Sequence, residues 1–206
     1  MGAEVKESRM RGGMAAFEDW RLYLLVGVLF FLAISLGVLI ALQFTPIQKK
    51  YLYPYPYQEI IEENAKKNRL DRDLIAGVIL NESRFEPKAV SHRGAMGLMQ
   101  IMPDTATWIA HTREDTSFQI DQLYVPEKNI EYGSWYLAYL KKHFHGNEVL
   151  TLAAYNAGLG NVEEWMEEYH WNMDFSDIGA IPFDETRGYV DSVLKNRKKY
   201  KTLYPK

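Results

Sequence analysis

Between Leu22 and Leu42 the chain carries no charged side chain, and Leu, Val, Ile and Phe dominate. That length matches the roughly 20 residues an α-helix needs to cross a bilayer core. A core helix of a soluble domain would keep a polar stripe, and none is present here. A cleavable leader would have a shorter apolar region and small residues at its exit. Here the exit reads Leu39-Ile40-Ala41-Leu42-Gln43-Phe44, with no such site. The stretch therefore predicts an uncleaved transmembrane anchor over residues 22–45, preceded by a short cytoplasmic N-terminus, residues 1–21. Lys6, Arg9, Arg11 and Arg21 precede it and Lys49 and Lys50 follow, so the positive-inside rule leans only mildly toward an internal N-terminus.

The rest of the chain is a different material. After residue 45 there are 20 basic and 23 acidic side chains, against four of each before it. No broad basic field exists to attract nucleic acid. The basic run Lys195, Arg197, Lys198, Lys199, Lys201 reads as a solvated helix end. Cysteine is absent, which excludes disulfides, thiolate nucleophiles and zinc ribbons.

Tyr51-Leu52-Tyr53-Pro54-Tyr55-Pro56-Tyr57 alternates tyrosine with proline, a pattern that resists helix and strand alike. Residues 46–57 are accordingly expected to form an extended linker. Beyond it the apolar spacing is helical throughout, giving an all-α domain over 58–206. Ile60, Ile61, Asn64 and Ala65 open one helix. Asp71 or Asp73 caps the next, which carries Leu74, Ile75, Val78 and Ile79. Pro103 and Pro126 each start another. Val149–Ala157 ends at Gly158, Val162 and Trp165 mark a further helix, and Asp184 is expected to cap the last. Trp108, Trp135 and Trp165 suit the core better than a sugar platform.

Glu82 follows Val78 and Ile79 by four and three residues, so it shares the apolar face of its helix. A glutamate near a helix end is ordinarily solvated. One aimed into an apolar cleft holds its proton toward neutrality, as a general acid requires. The loop that follows, Gly94-Ala95-Met96-Gly97-Leu98-Met99-Gln100, is either an ordinary turn or a close backbone approach to a ligand. Ala154-Tyr155-Asn156-Ala157-Gly158 adds a phenol and an amide at a helix end. Glu185 falls in the first turn of the last helix, where the dipole favours the ionised carboxylate. The histidines lack metal-site spacing, so no metal ligands are assigned.

Taken together these segments resemble the soluble lytic transglycosylase (SLT-domain) family, whose fold is related to goose-type lysozyme. The matching pieces are Glu82-Ser83, Ser91 with Gly94 through Pro103, Ala154 through Gly158, and Ile181-Pro182-Phe183-x-Glu185-Thr186-Arg187-x-Tyr189-Val190. They cover roughly residues 57 to 200 in order. The resemblance implies that Glu82 is the single catalytic acid/base. It implies that Ser83, Ser91, Gln100, Met102, Tyr155, Asn156 and Glu185 line or position the sugar groove, with no cofactor. Leu159 stands where proline is frequent in the family, and His111–Gln122 matches no motif.

A lysozyme-like domain on one transmembrane helix would be held at the bacterial cell membrane, with its catalytic part periplasmic or extracellular. Its partners would be peptidoglycan glycan strands and the bilayer, and cell-wall or secretion-machinery proteins are compatible with either. The implied reaction cuts the β-1,4 bond between N-acetylmuramic acid and N-acetylglucosamine and leaves a 1,6-anhydro end. A hydrolysing muramidase and a non-catalytic wall-binding scaffold are the alternatives.

Overall fold

The structure, a computed structural model, describes the backbone of residues 2–205 and the side chains of residues 20–40 and 42–205. It divides into two compact units, residues 1–52 and 53–206. In the first, α1 (Gly2–Ala41) is continuous, so the backbone is helical through the segment expected as a separate short terminus. The side chains of Lys6, Arg9 and Arg11, used above for orientation, lie outside the described residues. Trp20–Ile40 is the part long and apolar enough to cross a membrane, with none of its residues buried inside the protein. Arg21 lies over the Trp20 ring and Lys50 over the Tyr51 ring. Such aromatic and cationic pairs suit the headgroup levels at the two ends of a span. A short α2 (Thr45–Ile47) and a π-helical turn, Gln48–Leu52, follow.

The expected extended linker, residues 46–57, is therefore helical through Leu52, and its remaining tyrosines are part of the second unit. Tyr200 and Tyr204 donate hydrogen bonds from their hydroxyls to the Pro54 and Tyr53 carbonyls, both at 2.8 Å. Tyr55 sits edge-on to both of those rings, and Tyr57 stacks on Phe85. Proline denies this segment regular structure, but each tyrosine has apolar area to bury, and packing decides the outcome.

The second unit is all-α, as the periodicity predicts. In order come α3 (Gln58–Asn68), α4 (Arg72–Ser83), α5 (Pro103–Thr112), a 3-10 turn (Ile120–Tyr124), α6 (Pro126–His143), α7 (Glu148–Ala157), α8 (Leu159–Glu168), a second 3-10 turn (Ile178–Ala180) and α9 (Asp184–Leu203). Among the described residues there are no strands, only isolated antiparallel bridges joining Val90 to Met96 and Met96 to Ile101.

Helix α4 is the central element. Leu74, Ile75, Ala76, Val78 and Ile79 are all buried, so the helix is covered on every side for most of its length. Its closest neighbour is α9. A Cβ at Gly77 would lie 3.1 Å from the Val193 carbonyl and the Arg197 amide, so glycine there lets the two backbones approach. Asp71 is the N-cap of α4, accepting from the Asp73 amide at 3.0 Å. Arg197 of α9 donates to Asp71 at 2.8 Å and to Glu148, in the first turn of α7, at 2.6 Å. One guanidinium thus joins the N-terminal ends of two helices to α9. Asp184 does not cap α9 as expected. Phe183 holds the N-cap position without a side-chain bond, and the Asp184 carboxylate turns outward to pair with Arg187. Arg187 in turn donates to the Ile181 and Pro182 carbonyls, fixing the approach to the helix from the other side.

Candidate active site

Glu82 lies in the last turn of α4, half-buried. Loss of solvation pushes its pKa from 4.5 up to about 7; the Tyr189 hydroxyl opposes that rise and the Glu185 charge adds to it. A side chain can be partly open to solvent and still be poorly hydrated when it sits in a cleft, and Glu82 combines both conditions. The Tyr189 hydroxyl is itself buried. It lies beside the Glu82 carboxyl but meets full hydrogen-bond geometry with no described group. Burial and the neighbouring carboxylate hold both Tyr189 and Tyr155 well above the ordinary phenol range, so both remain protonated donors.

The loop after α4 is braced from several directions. Ser83 donates to the Leu98 carbonyl at 2.8 Å. Tyr155 donates to the Met99 carbonyl at 2.9 Å. Ser91 accepts from the Ala95 amide at 3.0 Å, while Gln100 donates to the Ala89 and Gly97 carbonyls. Gln100 itself adopts a left-handed backbone, φ 48°. These polar side chains hold the loop's backbone, so their first structural role is to fix the shape of the loop.

Asn129 of α6 is the brace that sequence reasoning missed. It is fully buried. Its Oδ1 accepts from the Met99 amide at 2.7 Å, and its Nδ2 donates to the Met96 and Leu123 carbonyls at 2.9 and 2.8 Å. Gly97 makes room for it. At φ 77°, a Cβ there would fall 2.1 Å from the Leu123 carbonyl oxygen and 2.2 Å from Asn129 Nδ2. A lone asparagine in an amphipathic helix gives no sequence signal for such a role. Tyr189 was within reach, since it sits in the quoted motif and on the inward stripe of α9.

The remaining expected groove residues fall around these. Met102, at the N-cap of α5, is exposed. Asn156, near the end of α7, accepts from the buried Thr186 hydroxyl at 2.8 Å, tying α7 to the start of α9. Glu185 is exposed in the first turn of α9. Among the tryptophans Trp165 is buried as expected, whereas Trp108 is 39% exposed. Its ring lies 5.0 Å from Tyr139 and 6.1 Å from Tyr136, and Tyr136 meets Tyr155 at 5.7 Å. A row of aromatic rings therefore leads outward from beside Glu82.

A family model described as the transglycosylase SLT domain matches residues 59–177. The chain is 37% identical over 147 residues to the soluble lytic murein transglycosylase of Escherichia coli strain K12, covering 69% of this chain and 22% of that one. It is 30% identical over 166 residues to the membrane-bound lytic murein transglycosylase C of Haemophilus ducreyi, covering 70% and 45%. Among solved structures it resembles an inactive mutant of the lytic transglycosylase Slt from Pseudomonas aeruginosa, with TM-score 0.68, 34% identity, and coverage of 76% of this chain and 25% of that one. It also resembles the 70 kDa soluble lytic transglycosylase of Escherichia coli in complex with bulgecin A, with TM-score 0.69, 33% identity, and coverage of 75% and 25%. The chain thus spans between about a fifth and a half of the length of these relatives.

Proposed function

The chain belongs to the transglycosylase SLT family, and on that footing we propose that it is a membrane-anchored peptidoglycan lytic transglycosylase with Glu82 as its single acid/base. The observation that carries the reading is Glu82 itself. It is a half-buried carboxyl with a pKa near 7, beside two buried phenols and facing a braced loop. Near neutrality both its protonated and ionised forms are populated, which suits one group that must first give a proton and then take one back.

Protonated Glu82 donates its proton to the glycosidic oxygen as the bond from muramic C1 breaks and positive charge develops on the ring. The resulting carboxylate accepts the proton of the same sugar's 6-hydroxyl. O6 then bonds to C1, closing the 1,6-anhydro ring, and Glu82 ends as it began. The nucleophile belongs to the substrate, so no second carboxylate is needed to activate water or to attack the sugar. Tyr189 stabilises the ionised stage of Glu82, Tyr155 holds the facing loop through Met99, and the exposed Glu185 carboxylate would favour positive charge on the sugar ring. Ser83, Ser91, Gln100 and Asn156 fix the groove wall, while Met102 offers it an apolar contact. The α1 span would hold this unit on the wall side of a bacterial membrane, the side on which its substrate lies.

Mass analysis of the sugar ends released from peptidoglycan tests the reading. Anhydromuramic ends support it, and reducing ends alone would replace it with the hydrolysing muramidase. Glu82→Gln should abolish release of either product. Unchanged wall-lytic activity in that variant would remove Glu82 from its role.

A further inference from the structure

A second groove, of about 550 Å³, lies between the end of α3 and the second half of α6. Leu70, Trp135 and Tyr139 form its apolar wall, and Arg69, Lys141 and Lys142 supply its charge. Trp135 and Tyr139 stack on each other, with ring centroids 5.7 Å apart and planes 16° from parallel. No acid lines the groove. The three cations form no ion pair with any described residue. Glu131, one turn before Trp135 on α6, is already engaged by Lys67, Arg113 and Lys128. Asp71, just after Leu70, is engaged by Arg197. The groove therefore presents uncompensated positive charge beside a flat aromatic face.

Aromatic faces suit the apolar face of a sugar ring, and unpaired cations suit an anion. The location narrows the choice further. Tyr139 lies 6.4 Å from Tyr136, which lies 5.7 Å from Tyr155 beside Glu82, so the aromatic row reaches the groove. From Tyr155 to Tyr139 the row takes two steps, 5.7 and 6.4 Å, so the groove opens within reach of a strand that also meets Glu82.

We infer that this groove is a separate holding site for peptidoglycan carboxylates, engaging the glycan at the far end of the aromatic row from Glu82. The inference rests on the lytic transglycosylase reading. The carboxylate has two possible sources: the free lactyl group of a muramic residue without peptide, or the stem peptide of one that bears it. An anionic lipid headgroup would satisfy the cations as well, but it would leave the aromatic row leading to Glu82 without a purpose.

The test uses the full-length Glu82→Gln chain in neutral detergent, so that binding is read without cleavage. Four probes are titrated: a peptide-free tetrasaccharide of alternating N-acetylglucosamine and N-acetylmuramic acid, the stem tetrapeptide, uncharged chitotetraose, and dihexanoyl phosphatidylglycerol. Adding Lys141→Gln and Lys142→Gln together should weaken the tetrasaccharide or the tetrapeptide about tenfold, the loss of two exposed charge pairs. Chitotetraose affinity should not change. Whichever probe weakens identifies the source of the carboxylate, and Arg69→Gln should act on the same probe, more weakly. Equal loss for chitotetraose, no loss for either carboxylate probe, or loss confined to the lipid would each overturn the inference. Product analysis on the wild-type chain keeps the two readings apart. Anhydro ends with unaltered probe binding in the double variant remove this groove alone. Carboxylate binding without anhydro ends removes the enzymatic reading.

Discussion

Glu82 should weigh on the stability of the fold, and the load should depend on pH. Its pKa is about 7 in the folded chain and 4.5 for the free group. For a carboxyl raised by folding, the unfolded chain loses its proton first as pH increases. Folding stability therefore falls as pH rises from the unfolded pKa toward the folded one, and then levels off. At about 1.4 kcal/mol per pKa unit the loss is about 3 kcal/mol, an upper bound because the group keeps some access to solvent. Glu82→Gln keeps the shape and removes the charge. The variant should match the wild type near pH 4 and exceed it increasingly between pH 4.5 and 7. Above pH 7 the advantage should be constant, reaching about 6 to 12 °C in Tm for a unit of this size if the full 3 kcal/mol is realised. Thermal unfolding of the two full-length chains in detergent, followed by tryptophan fluorescence from pH 4 to 8.5, measures this directly. A stability difference that is flat across that range would refute the claim that desolvation holds the proton on Glu82.

Activity should fall as pH rises through the Glu82 pKa, because the first step needs the protonated acid. Tyr189→Phe removes a group that lowers this pKa, so the alkaline limb of the pH–rate profile should move up, by at most about one pH unit, the worth of one fully formed hydrogen bond. Glu185→Gln removes a charge that raises it, so the same limb should move down; both limbs moving the same way would contradict these electrostatics. Asn129→Ala strips three hydrogen bonds from buried backbone groups, and chemical denaturation should show a loss of about 3 kcal/mol or more. Gly97→Ala should be at least as damaging, since it meets both a positive φ and a filled space; a loss under about 1 kcal/mol would mean the loop is looser than described.

Much of this was written locally in the chain. Helix starts at Pro103 and Pro126 follow from proline's fixed φ, and the Asp71 cap from its side-chain reach, so sequence spacing located them. Glu82 was legible because its neighbours three and four residues back are apolar, which aimed it inward before any packing was known. Other features depend on partners distant in sequence. Asn129 acts on Met96 and Met99 some thirty residues away, and Tyr53 and Pro54 are held by residues about 150 positions later. Local composition reads the Tyr-Pro segment as solvated and extended, because the rings of Tyr200 and Tyr204 that bury it are invisible at that range. The expected cap at Asp184 failed for a related reason: Arg187, one turn on, offers its carboxylate a charged partner instead of a backbone amide. Trp108 looked like core because tryptophan usually is. Its exposure follows from the aromatic row it completes.

One amide links two segments that would otherwise be independent. Asn129 Nδ2 holds Met96, in the loop after α4, and also Leu123, the residue that follows the His111–Gln122 stretch. That stretch is exposed in its middle, at Thr116 and Ser117, and runs into a locked anchor, the fully buried Leu123. Added residues at Thr116–Ser117 would hang outward and leave the amide in place. The same insertion beside Leu123 would pull on the loop that carries Met96. A lineage carrying this fold therefore has a place to acquire new sequence at Thr116–Ser117 without disturbing the surroundings of Glu82.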